Sequence, residues 1–465
     1  MNQPLHKHEY FKKFDFDGGE AVIDRLYGFT MDLCWNDIPN NVKQRIKNLF
    51  LDLVGVLTTG RETPVSQIIR NFVVTQFGAT ACKSRLPLDG HPVSPAGAAL
   101  FTGMTIDSID AHDGHYLAKG HVGCACFSAL LAYADDLQIT DGGLLLTCLV
   151  IGYEIGTRAG RIISESPETI SQYHSSGTWV AIACAAMGAR LMKLDIVSFQ
   201  HALAIAEYHA PRSPVMKVAH HPTMLKDGSG WGAMAGVSAA YLAKAGFTGA
   251  PVIMAESKHL QSYWFDIGIN WETLNQYIKS HPVCRWTQDP IEAVAKLIAD
   301  SAIDTRDIVG IVVETFEEAT LLSQEIPQNT EQAQYNVTFP LAVMLARGKV
   351  GAFEVTDQSI FSDPEIRRLT NLIDMRVNEK FNALFPQERW AKVRITFSSG
   401  EVLESPPTKA RGEPDTMLSD TELHTKFHNL ALIRFSHQEC DTIIRHVKNL
   451  GTDIDNWLTL RSLLE

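Results

Sequence analysis

Three aspartates (Asp107, Asp110, Asp113), three histidines (His112, His115, His121) and Lys119 fall within fifteen consecutive residues, 107–121. Carboxylates, imidazoles and an ammonium crowded in this way could move protons, hold an anion or ligate a cation. The segments on either side, from Pro95 and from Val122, are rich in small and apolar residues and read as two buried helices. Desolvating titratable groups between buried helices is costly, so such a cluster calls for a function. A solvated loop is the favoured expectation for the stretch taken alone, because Asp, Lys and His are mostly exposed.

Three further loops share one design, a titratable residue just ahead of a helix start. His174 precedes Ser175-Ser-Gly-Thr178, whose hydroxyls are natural N-caps. Lys226, in Lys226-Asp-Gly-Ser-Gly230, precedes a helix beginning near Trp231. Lys279 lies ahead of Asp289-Pro290, a capping residue followed by proline at the first helical position. Helix N-termini present free N–H groups and a positive field, which suits carboxylates. Two lysines and two histidines gathered there would make an anion pocket with its own acids and bases. Singly, each has a plainer reading. Lys226 beside Asp227 could be a surface ion pair of little worth, His174 a cap, and Lys279 a surface lysine. His220-His221 diverge and lack the second spacing of a zinc site, so no metal site is expected. Neither a phosphate-binding glycine loop nor a nucleophile elbow is present.

The chain has 465 residues, enough for two or three domains, with 45% hydrophobic and 20% charged residues. Its formal net charge of -12 argues against nucleic-acid or anionic-membrane binding but allows a small anionic substrate held by a few local cations. Eight cysteines without a paired spacing suggest small core residues in a reducing compartment. The polar N-terminus shows no secretory signal, so a cytoplasmic location is expected. The longest apolar run, residues 144–151, is too short to cross a membrane.

Residues 1–18 read as a polar arm and 19–77 as helices, with Leu49, Leu53 and Leu57 at helical spacing. Residues 95–250 continue as helices rich in Ala, Gly, Ser and Cys, apolar nearly all round, which marks interior packing. After Gly268 the texture changes. Helices near 291–302 and 338–347 alternate with a β-branched run, 308–316, and with a hairpin, 392–404, turning at Ser398-Ser-Gly400. From Ser419 the chain returns to helix, with Leu423, Phe427 and Leu430 as core candidates. The pattern predicts a mostly α protein. A large all-helical domain would come from both chain ends (1–267 and 410–465), and a smaller α+β domain from 268–409.

Several of these stretches together resemble the MmgE/PrpD family. They are Asp107-Ser-Ile-Asp-Ala-His-Asp113 with His121, Gly152-Tyr-Glu-Ile, Tyr173-His174-Ser-Ser-Gly-Thr and Met224-Leu-Lys-Asp-Gly-Ser-Gly-Trp. Ala245-Gly-Phe-Thr-Gly-Ala-Pro, Lys279-Ser-His-Pro-Val-Cys284 and Leu418-Ser-Asp-Thr-Glu-Leu-His continue the likeness in family order, over about residues 45–465. That family includes 2-methylcitrate dehydratase, cis-aconitate decarboxylase and iminodisuccinate epimerase. The resemblance implies a homodimer in which the α+β domain is a lid on the helical domain, with an active site in the cleft and no metal or organic cofactor. It carries the family's loop aspartate onto Asp110, its loop histidine onto His121, its second histidine onto His174, its pocket lysine onto Lys226 and its lid lysine onto Lys279. His112, Asp113 and Cys284 are expected beside the substrate.

Two departures stand out. Asp110-Ala-His-Asp113 replaces the usual Asp-Phe-Asp-Asp, and Cys284 stands where the decarboxylases have histidine. The expected activity is therefore that of a 2-methylcitrate dehydratase-like hydro-lyase removing a proton beside a carboxylate of a small di- or tricarboxylate. A carboxy-lyase or an epimerase is the alternative within the family, and an inactive helical scaffold the alternative outside enzymes.

Overall fold

The computed structural model describes residues 15–165 and 175–465. Its first helices follow the apolar spacing. Helix α1 (Gly19–Asp32) buries Val22, Ile23 and Leu26. Helix α2 (Asn40–Gly60) buries Val42, Ile46, Leu49, Phe50, Leu53, Val54 and Leu57, a set too wide for one stripe, so it runs through the interior. Helices α3 (Pro64–Gln76) and α4 (Pro95–Asp107) start alike. Thr63 and Ser94 each accept a backbone N–H in the first turn, and a proline occupies that turn.

Helices α5 (Gly123–Asp136), α6 (Gly142–Glu165), α7 (Ser176–Met192), α8 (Ile196–His209) and α9 (Ser229–Lys244) complete the interior layer. Helix α9 packs on α7, α4 and α8. Its small residues explain how closely. A Cβ on Gly232 would lie 2.5 Å from the Gly177 carbonyl oxygen, and one on Gly236 2.3 Å from that of Ala181. Backbone meets backbone where a larger residue would hold the helices apart. Among the described residues no helix is long and apolar enough to cross a membrane.

Two short antiparallel ladders tie loops to this core. Strand β1 (Ser84–Arg85) pairs with β2 (Pro92–Val93), and β3 (Gly114–His115) with β4 (Gln276–Tyr277). The second ladder joins the Asp/His-rich loop to the segment leading into Lys279.

A second apolar core holds Val283, Ile291, Val313, Phe339, Leu369 and Ile395. Around it lie α10 (Arg285–Asp300), α11 (Thr338–Arg347), α12 (Pro364–Asn371) and a four-stranded sheet. Strand β5 (Ile308–Thr315) lies between β6 (Ile373–Val377), which is parallel to it, and β7 (Lys392–Phe397), which is antiparallel; β8 (Val402–Glu404) closes the hairpin with β7. Ile311 faces both Ile373 and Ile395 across the ladders. Helices α13 (Asp420–Ala431), α14 (His437–Lys448) and α15 (Ile454–Leu463) return to the first core, where Leu423, Phe427 and Leu430 are buried and α13 lies along α2. The architecture is mostly α, as the sequence pattern predicts.

Three details differ from the sequence reading. Helix α10 begins at Arg285, not at Pro290, which lies inside it. Asp289 does not cap; its carboxylate accepts from Arg285 Nη1 at 2.7 Å and from the Ala410 N–H at 2.8 Å, so the helix can begin a turn earlier. Strand β6 carries little apolar alternation and its partner lies sixty residues upstream, so no local hairpin signal marks it. The loop after α4 is not solvated: Asp107, Asp110, His112, Asp113 and His115 are each at most 3% exposed.

Candidate active site

The Asp107 carboxylate, at the end of α4, fastens the loop to its neighbours. Its Oδ2 accepts the backbone N–H groups of Asp227 (3.2 Å) and Ser229 (3.4 Å), capping α9 from a distant part of the chain. Where β3 meets β4 there is no room for a side chain at residue 114. A Cβ on Gly114 would lie 2.4 Å from the Tyr277 hydroxyl and 2.8 Å from His121 Nδ1. That close approach sets the His121 ring against Tyr277.

Asp110 and Lys279 form a buried ion pair through Oδ1 and Nζ, and the same ammonium donates to the Asp110 carbonyl at 3.2 Å. Gln334 binds both halves of the site. Its Oε1 accepts from the Asp110 N–H (2.9 Å) and from Lys226 Nζ (2.6 Å), while its Nε2 donates to the Ser108 carbonyl (3.0 Å) and to Thr330 Oγ1 (2.7 Å). Lys226 Nζ also lies 5.2 Å from the centre of the Tyr335 ring.

Burial alone would raise the Asp110 carboxyl, but Lys279, with His121, His112 and Lys226, holds it below the usual carboxylate range. Burial, with Lys279 and His112 adding to it, pushes the His121 imidazole well below its ordinary value. His121 Nδ1–H donates to the Asp113 carbonyl at 2.6 Å, which leaves Nε2 as the bare, basic nitrogen. Asp227 moves the other way: burial and the Asp107 charge raise its carboxyl above the usual range, with Ser176 Oγ donating to its Oδ2 and its Oδ1 without a hydrogen bond. Lys226 is lowered by burial, against the pull of Asp110, Asp107 and Glu331. Burial lifts the Asp113 carboxyl to about 6, with Tyr153 Oη donating to its Oδ2 at 3.0 Å, and lifts the Cys284 thiol to about 11.

A cavity of 230 Å³ is bordered by Asp110, His121, Asp227, Tyr277, Cys284 and Tyr335. Lys119, Arg285 and Arg389 supply its cations. Lys226, Lys279, His112 and Asp113 do not border it; all four are buried behind its wall. His112 and Asp113, expected beside substrate, instead support His121. The His112 ring meets that of His121 edge-on at 4.4 Å, and Asp113 holds it through its carbonyl. His174 lies outside the described residues. A larger cleft of 830 Å³ reaches the same loops at Ala111 and Ser280, but Asp110, His121, Lys226 and Asp227 do not border it.

Two further readings change. Lys226 and Asp227 are not a surface pair; both are buried and each has other partners. Ser175 stands at the N-cap of α7 but makes no capping bond; Ser176 does the linking, accepting the His121 N–H at 2.8 Å while donating to Asp227. Sequence reasoning missed Asp227, Gln334, Tyr335 and Arg389. Gln334 closes a one-turn helix, Thr330–Gln334, that carries no motif, and only the packing of the two cores brings it to Lys226. One ligand atom each from Asp110, His112 and His121 lie within 4.8 Å of one another, a spacing that could hold a cation. Such a cation would compete with the Lys279 ammonium for the Asp110 carboxylate.

The MmgE/PrpD N-terminal domain matches residues 24–267 and the MmgE/PrpD C-terminal domain residues 281–451. A cis-aconitate decarboxylase of Aspergillus terreus is 22% identical, over 97% of this chain and 96% of its own length. The cis-aconitate decarboxylase-like protein oryM of Aspergillus oryzae (strain ATCC 42149 / RIB 40) is 23% identical, over 93% and 95%. With both family domains matched in order across most of its length, the chain belongs to the MmgE/PrpD family.

Proposed function

We propose that this protein is a lyase acting on a small di- or tricarboxylate, with proton transfer beside a carboxylate as its chemistry. One observation carries the reading: an imidazole kept neutral with Nε2 bare, and a carboxyl raised enough to keep a proton, border the same 230 Å³ cavity. Pairs of groups pushed apart in this way divide into base and acid. His121 Nε2 takes the proton from the carbon beside the carboxylate, and Asp227 delivers a proton to the departing hydroxyl, which leaves as water. Negative charge then gathers on an enolate-like carboxylate. The Lys226 ammonium behind the Tyr335 ring, and the Tyr335 hydroxyl, which burial keeps protonated, stabilise it. Asp110, fixed by Lys279 and Gln334, holds the loop that carries His121.

Decarboxylation is the second reading, favoured by the names of the two Aspergillus relatives. In it a carboxylate leaves as carbon dioxide and the acid protonates the carbon left behind. Incubating EDTA-treated protein with 2-methylcitrate, citrate and cis-aconitate, followed by proton NMR, separates the two. Elimination creates a vinylic carbon from a hydroxy acid, whereas decarboxylation consumes cis-aconitate with release of carbon dioxide. His121→Ala and Lys226→Ala should each lower turnover by about 100-fold or more without changing the circular dichroism spectrum. No turnover of any acid by the wild type would sink the lyase reading, and full activity in either variant would remove that residue from the mechanism.

A further inference from the structure

Two buried arginines, Arg45 and Arg389, have no ion pair among the described residues, and of the two only Arg389 borders the cavity. Arg389 is 5% exposed, yet no carboxylate among the described residues lies within ion-pairing distance. Its Nε has no hydrogen bond, its Nη2 makes one long contact of 3.4 Å to the Tyr116 carbonyl, and the guanidinium rests 5.7 Å from the centre of the Phe385 ring. Neighbouring Arg285 is fully engaged by contrast, with Asp289 on one side and Glu413 on the other. Lys119 borders the same cavity, half-buried, with a left-handed backbone (φ 52°) and no ion pair among the described residues. Of the cations that reach the cavity, these two have no carboxylate of their own.

A buried guanidinium without a counter-charge is unfavourable unless something anionic joins it. Its planar fork accepts two oxygens of a carboxylate side by side. The two cations also disfavour each other's charge: burial and Arg389 both lower the Lys119 ammonium, against the pull of Glu318. An anion between them would remove that repulsion. Of the inner cations, Lys279 is bound to Asp110 and Lys226 to Gln334, and neither borders the cavity.

We propose that Arg389 and Lys119 form a carboxylate subsite in the 230 Å³ cavity, holding a second carboxylate of the substrate that does not take part in the reaction. The assignment rests on the lyase reading and sharpens it, since it selects acids carrying a carboxylate beyond those needed at the reacting carbon. Arg389 here is a binding residue; His121 and Asp227 keep the chemistry.

Binding of unreactive acids tests it. Tricarballylate has three carboxylates, butyrate one, and neither has a hydroxyl to lose; inorganic phosphate reports a free-anion site. By calorimetry the wild-type chain should bind tricarballylate at least tenfold more tightly than butyrate. Arg389→Gln should shrink that ratio below threefold, and Lys119→Gln should reduce it in part. Arg389→Lys, which keeps a cation over Phe385, guards against a folding defect and should retain an intermediate ratio. A tenfold preference surviving in Arg389→Gln would overturn the subsite alone. Phosphate bound through Arg389 without competing with tricarballylate would overturn it in favour of a separate anion site. If the wild type binds neither acid, the subsite and the lyase reading fall together.

Discussion

Charge at this site is set by burial first and by neighbours second, and Asp113 makes the point measurable. Its carboxyl is lifted to about 6 by burial, with the nearby Asp52 charge adding to the effect. Between the ordinary carboxylate range and pH 6 the folded chain therefore holds a proton that the unfolded chain has released. Stability from this residue is present below that interval and is lost as pH rises through it. The two-unit difference corresponds to about 3 kcal/mol. Asp113→Asn cannot ionise, so relative to wild type it should gain about that much on going from pH 4 to pH 8. Thermal melts of both proteins at pH 4, 6 and 8 check this; parallel curves would show that Asp113 does not titrate in the fold.

At the scale of elements, the loops carrying Asp110 and Lys226 converge because α4, α7 and α9 pack at backbone contact. The glycines of α9 carry that contact, and their replacement sets two effects against each other. Alanine for glycine inside a helix ordinarily gains about 0.5–1 kcal/mol. At Gly236 the added Cβ would lie 2.3 Å from the Ala181 carbonyl oxygen and 2.6 Å from the Cys184 Cβ, both in α7. Overpacking of that kind costs about 1–3 kcal/mol. Gly236→Ala should therefore destabilise the protein in a urea titration. The same change at Gly246, where nothing lies within 4 Å but φ is +90°, tests backbone strain without overpacking.

Over the whole molecule, Gln334 is a polar link between the two cores at the site. Removing its side chain leaves the Lys226 ammonium and the Asp110 N–H without their acceptor. Each buried group left unsatisfied costs about 1–3 kcal/mol, and more when charged. Gln334→Leu should lower the thermal midpoint and also depress turnover, because Lys226 loses the bond that holds it under Tyr335. Unchanged turnover with a lowered midpoint would make Gln334 a structural link only.

Much of this is legible in the sequence. Helical spacing at Leu49, Leu53 and Leu57 and the small-residue texture of 178–189 and 232–243 mark interior helices, since burial demands an apolar surface whatever the partner. The Ser398-Ser-Gly400 turn marks its hairpin because the pairing is local. Strand β6 and the start of α10 were not legible, because the first is paired sixty residues away and the second depends on where the Asp289 carboxylate is bound. At the site, the residue types in 107–121, Lys226 and Lys279 pointed to acid–base and anion chemistry only in combination, since each alone has a plainer surface reading. Only the tertiary structure decided that Asp227 is raised while Asp110 is lowered, that Gln334 and Tyr335 join the lysine, and that Arg389 faces the cavity without a counter-ion. A side chain's identity belongs to the sequence, but its charge state and partners depend on burial and on neighbours that folding brings from distant parts of the chain.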